Sequence, residues 1–230
     1  AVFMWAALVL GSAVVALEIG LRAFMGFGTP ILYDNTYATG YRPLPNQEVR
    51  RTGRKRVRIN NLALRASRDW PARRTPNELR ILYLGDSVTY GGSYVDDRET
   101  FAEASADLVR KRTGREVLVG NGAVNGWGPK NIRGLVGRYG FFGSDIVVVV
   151  ALEADLERDL SHMGETPYWN HRPSSAIEEV LSSWVAYKFG LRRFEKKERF
   201  VSPAERDSFF RENIGVYMTV GRLGQMSGAQ

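Results

Sequence analysis

Ala1 to Leu17 (AVFMWAALVLGSAVVAL) carries no charge over its whole length, and no other stretch so narrows what this chain can become. The apolar character resumes after Glu18 and again after Arg22, as far as Phe27. A bilayer core takes about 20 apolar residues at ~1.5 Å rise each, so residues 1–27 are expected to form a transmembrane anchor helix. Arg22 can reach the interface along its own aliphatic stem. A secretory signal peptide is the alternative, but the run is long for one and no small-x-small cleavage site precedes a polar start. Ser12, Ala16 and Gly20 recur at four-residue spacing, with Ala7 and Gly11 as a second pair. Such positions let another membrane helix approach closely, although small residues are also common in helices with no partner. Every basic residue lies after the apolar run, which by the positive-inside rule alone places the rest of the chain in the cytoplasm.

The net charge is +7, and six of the cations, Arg50, Arg51, Arg54, Lys55, Arg56 and Arg58, crowd one stretch just beyond the apolar segment. Charge in that position suits lipid headgroups or the acidic surface of a membrane partner. No aromatic-interleaved basic element or nucleic-acid reader motif accompanies it, so no nucleic-acid partner is expected. The chain has no cysteine, which removes disulfides, thiolate catalysis and Cys-based metal sites together. No cofactor is expected.

Residues 28–78 are rich in Arg, Pro, Gly and Asn, with little apolar periodicity, and read as a basic, mostly extended linker that packs back on the domain in places. From Arg80 the pattern changes. ILYLG, EVLVG and DIVVVVAL are short apolar runs, separated by amphipathic stretches near Thr100–Thr113 and Pro129–Tyr139. Continuous Val/Ile/Leu runs alternating with helices predict a parallel sheet covered on both faces, so the domain at 79–230 is expected to be doubly wound α/β. Beyond Leu160 the spacing predicts helices near Ser174–Phe189 and Pro203–Leu223 and no further strand.

The first apolar run leads directly into Gly85-Asp86-Ser87-Val88-Thr89-Tyr90-Gly91, and Asn60-Asn61-Leu62-Ala63-Leu64-Arg65 precedes it. Together with Glu18 and Arg22, these blocks resemble, in order, the membrane-tethered bacterial members of the SGNH/GDSL hydrolases over roughly residues 1 to 160. The resemblance implies a three-layer α/β/α, flavodoxin-like fold, and a periplasmic domain on the bacterial inner membrane. It also implies that Ser87, beside Asp86, stands at the nucleophile position. A serine at the C-terminal end of a central parallel strand points into the crevice where such sheets bind ligands, and a base can activate it against an ester carbonyl. Asn121-Gly122-Ala123-Val124-Asn125-Gly126 corresponds to the second block, where the resemblance gives Gly126 the backbone N–H of an oxyanion hole. A tight turn needing glycine is the equal alternative.

Two later blocks depart from the family pattern. Where the family has Gly-x-Asn-Asp, this chain reads Leu152-Glu153-Ala154-Asp155. Alanine offers no donor, and losing one oxyanion donor costs on the order of 10² to 10³ in rate. The family's Asp-x-x-His is found only as Asp159-Leu160-Ser161-His162, earlier in the chain than the family places its base, so His162 is a weak candidate. The expected function is therefore a membrane-anchored, catalytically inactive accessory subunit. It would join other integral-membrane subunits through the apolar helix and basic linker, and a photosynthetic, respiratory or polysaccharide-export assembly would each fit. The alternative is a cell-envelope serine esterase or O-acyltransferase/deacetylase acting on acylated glycans or lipids.

Overall fold

The computed structural model describes residues 2–36, 38–151, 158–163, 168–186 and 189. Helix α1 (Val2–Gly20) continues through a wider π-helical turn at Leu21–Met25, and none of its residues is buried. The helix from Val2 to Met25 is long and apolar enough to cross a membrane. It stops at Gly26, whose φ of +69° turns the chain out of the helix. A Cβ on Gly26 would lie 1.8 Å from the Arg50 carbonyl oxygen, so the exit from the helix is pressed against the segment that follows.

That segment is more structured than an extended linker. Strands β1 (Tyr33–Thr36) and β2 (Gly40–Pro43) form one antiparallel hairpin, and β3 (Gln47–Arg51) and β4 (Lys55–Ile59) form another. Tyr41, Val57, Ile59, Leu64 and Trp70 are at most 2% exposed, so residues between 28 and 78 supply a large part of the core. Polar side chains do the folding here. Asn60, fully buried, accepts the backbone N–H groups of Leu62 and Leu64 through Oδ1 at 2.9 and 3.0 Å, closing the turn after β4.

The parallel sheet holds β5 (Glu78–Leu84), β6 (Glu116–Asn121) and β7 (Ile146–Val149) in the order β6-β5-β7. Every residue of β5 is buried, as the central strand of a sheet covered on two faces requires. Its side chains alternate. Leu79, Ile81 and Tyr83 join Val117 and Val119 against Ala102 and Ala106 of α3 (Phe101–Thr113). Leu82 and Leu84 join a larger cluster with Trp127, with Ile132 and Leu135 of α4 (Pro129–Tyr139), and with Tyr41, Ile59 and Leu64. Both helices begin where their caps dictate: the Thr100 side chain accepts from the Glu103 N–H, and Pro129 opens α4.

A helix α2 (Ser87–Tyr90) follows β5 directly, and α5 (Ala176–Val180) continues as a π-helical turn to Ala186, inside the span expected to be helical near 174–189. The helix expected at 203–223 lies outside the described residues. Helix α5 ties α1 to the domain. Glu18 accepts the N–H groups of Ala176 and Ile177 at 2.8 and 3.0 Å, while buried Glu179 accepts the Gly28 N–H at 2.6 Å and an ion pair from Arg51 at 2.5 Å.

Candidate functional site at the end of the central strand

In a β6-β5-β7 sheet the chain leaves the central strand toward one neighbour and returns to the other. A crevice therefore opens beyond the carboxyl end of the strand in the middle. The Gly85-Asp86-Ser87 sequence occupies that place. A Cβ at Gly85 would stand 2.1 Å from Thr89 Oγ1 and 2.8 Å from the Val150 carbonyl, so only glycine allows the strand to turn this abruptly into α2. Asp86 is 4% exposed and caps α2, its Oδ1 accepting the Val88 N–H at 2.9 Å.

Ser87 is exposed, and its hydroxyl donates to Asp86 Oδ2 at 3.2 Å. The same carboxylate oxygen lies 3.7 Å from Nη1 of Arg158, which also donates to the Trp127 carbonyl at 2.8 Å. Ser87 thus turns its proton toward a carboxylate that already caps a helix and faces a guanidinium.

The structure places the other expected site residues around the same strand ends without joining them to Ser87. Gly126 lies in the turn between β6 and α4 with φ +81°, and its carbonyl accepts the Ser161 hydroxyl. His162 is half-buried, in a segment held to the start of α4 by reciprocal bonds between Ser161 and Asn131. The Lys130 ammonium, hydrogen-bonded to Asp159, and then the Leu160 N–H hold the Asp159 carboxyl below its ordinary value. No hydrogen bond joins His162 to Ser87 among the described residues. Leu152, Glu153, Ala154 and Asp155 lie outside them.

What holds the site in shape is Arg65. It is 3% exposed, pairs with Asp97 at 3.0 Å, and donates to the carbonyls of Tyr90 (2.8 Å), Gly92 (2.5 Å) and Val95 (2.5 Å). One guanidinium therefore ties down the whole stretch after α2. The backbone of Arg65 also bridges to Asn121 at the end of β6, at 2.8 and 2.9 Å, and the Asn121 side chain donates to the Thr89 carbonyl at 2.6 Å. Burial raises the Asp97 carboxyl above its ordinary value despite Arg65, and burial likewise raises the Tyr90 hydroxyl. The Asn60 to Arg65 block thus has a physical role, as the brace of the motif loop.

Tyr90 and Phe27 line one cavity of about 290 Å³, together with Tyr33, Arg51, Tyr168 and Trp169. The motif end of the sheet therefore lies on the side of the domain from which α1 emerges. Neither Arg158 nor the Arg51 and Glu179 pair was legible beforehand. Arg158 follows a run of acidic and apolar residues with no motif, and a glutamate within AIEEV has the look of a solvated helix face. Among the described residues, no group of three or more His, Cys, Asp or Glu is arranged to hold a metal ion. No family model, curated protein or solved structure matches the chain.

Proposed function

We propose that this is a membrane-anchored SGNH/GDSL-like domain that has no esterase activity and serves as a structural, accessory subunit of a larger integral-membrane assembly. In this reading the sheet belongs to a three-layer, flavodoxin-like domain on the periplasmic face of a bacterial inner membrane, held there by a single span. The observation that carries the reading is the mounting of the domain on its helix. Glu18 caps α5 from within the last turns of α1, and Glu179 of α5 grips Gly28 and Arg51 in return. An enzyme on a tether gains reach from a loose joint, whereas a subunit that fixes the position of its neighbours needs a stiff one. The Ser87 hydroxyl, which donates to Asp86 and meets no histidine among the described residues, fits the same reading.

A cell-envelope serine esterase or O-acyltransferase is the second reading, and the exposure of Ser87 at the end of β5 favours it. A fluorophosphonate probe separates the two, because it labels only serines activated by a base. Full-length protein in membranes is expected to remain unlabelled. Labelling that disappears in Ser87→Ala would establish the enzyme reading instead.

A further inference from the structure

Six cations occupy the β3–β4 hairpin, and the structure divides them into two kinds. Arg51 pairs with Glu179, Lys55 with Glu99, Arg56 with Asp97 and Arg58 with Asp69, at 2.5, 2.6, 3.6 and 2.8 Å. Arg50 and Arg54 are exposed, and their side chains have neither ion pair nor hydrogen bond among the described residues. Four charges are therefore balanced by carboxylates of the protein, and two are left facing outward, Arg54 at the tip of the hairpin and Arg50 on β3 beside it.

The tip, Thr52–Arg54, packs beside Leu21–Met25, the last turns of the membrane-length helix, and Gly26 presses on the Arg50 carbonyl. If α1 spans the bilayer, its C-terminal turns lie at the level of the headgroups, and the hairpin tip lies there with them. Arg54 holds φ +62°, a left-handed conformation that glycine or asparagine would adopt with less strain. A left-handed arginine at an exposed tip is a local cost that a contact made by its side chain would offset. The other charged groups nearby leave the tip positive. Arg22 is neutralised by Glu18 at 2.6 Å. Glu48, on the same face of β3 as Arg50, is two residues further from the tip.

We infer that Arg50 and Arg54 form a docking site for the phosphate of an anionic membrane lipid, seating the domain on the bilayer surface at a fixed height and rotation. A guanidinium fork matches phosphate oxygens in two parallel hydrogen bonds, and each arginine near an anionic leaflet favours the acidic lipid roughly fivefold. The inference rests on α1 spanning the membrane and is independent of whether Ser87 reacts.

The chain has no cysteine, so Thr52→Cys places a single fluorophore at the exposed tip. The labelled full-length protein is reconstituted in bilayers of phosphatidylcholine with phosphatidylglycerol, and the nitroxide quencher is carried on one lipid or the other. Phosphatidylglycerol is expected to quench several-fold more strongly than phosphatidylcholine at equal mole fraction. The preference should vanish in Arg50→Gln/Arg54→Gln, persist in Arg112→Gln in the last turn of α3, and weaken in high salt. Equal quenching by the two lipids, or a preference that survives the double substitution, would overturn the headgroup site while leaving the anchor intact. Protein that fails to float with either bilayer would overturn the anchor and the site together.

Discussion

Two regions share one hydrophobic core here and are built from opposite materials. The parallel sheet is made mainly of apolar runs: beyond one buried ion pair, Arg80 with Glu78, β5 buries Leu79, Ile81, Leu82, Tyr83 and Leu84, and its neighbours contribute Val117, Leu118, Val119 and Val147. The preceding region, residues 28–78, places Tyr41, Ile59, Leu64 and Trp70 in the same interior but reaches that fold through buried Asn60 and Arg65. Apolar packing tolerates exchange of one hydrophobe for another of similar volume, because burial is not directional. A buried guanidinium is tolerated only with its whole set of partners in place, because each unmet acceptor, Asp97 Oδ1 among them, would carry a desolvation cost. The polar-built region should therefore be the more brittle of the two, and the motif at Gly85-Asp86-Ser87 depends on it.

The largest effect is expected from removing the brace. Arg65→Leu takes from Asp97 Oδ1 its donor, leaving Asp97 only Arg56 at 3.6 Å and the Arg58 N–H, and leaves the Tyr90, Gly92 and Val95 carbonyls without a donor, at a cost of about 3–5 kcal/mol in urea unfolding. A cost under ~1 kcal/mol would show that the two regions do not differ as described. Conservative changes sharpen the contrast. Arg65→Lys keeps the charge but cannot reach four acceptors at once, and should still cost roughly 2–3 kcal/mol. Leu82→Met in β5 should cost less than ~1.5 kcal/mol.

Glu179→Gln removes the charge that Arg51 and the Gly28 N–H share, and should cost about 1–3 kcal/mol. The accompanying sign is earlier proteolysis near Gly28, because this glutamate joins α1 to the domain. The smallest effect is one of pH. The Arg80 N–H, and then Arg74, hold the Asp145 carboxyl below its usual value. A carboxyl lowered in the fold adds stability above its unfolded value near 3.8, and that stability is lost as pH falls through the folded value. The stability difference between the native chain and Asp145→Asn should accordingly be constant from neutral pH down to about 4 and shrink below it.

The apolar-built region was the legible one. Amphipathic periodicity gave α4 at its observed bounds, Pro129–Tyr139, and α3 within a residue, and the structure puts Thr100, Gly114, Pro129 and Gly140 at those ends. The β3–β4 hairpin was read as a basic linker. In QEVRR and KRVRI the inward residues are few and the outward ones are mostly arginine, so the period-two signal of Val49, Val57 and Ile59 is hidden under charge. The site was legible to the same degree. Asp86 and Ser87 lie at the end of β5, where strand context put them, because that placement is local. Arg158 comes to Asp86 from beyond β7, and Arg65 reaches the stretch after α2 from the far side of β6. Contacts of that range leave no mark on spacing.

The measurement closest to the central claim is hydrolysis of a short-chain p-nitrophenyl ester by the detergent-solubilised full-length protein, beside Ser87→Ala. The account predicts the same background rate from both, since the Ser87 hydroxyl donates to Asp86 and no histidine is hydrogen-bonded to it among the described residues. Turnover by the native chain that Ser87→Ala abolishes would contradict it, and would mean that a base reaches Ser87 when substrate binds.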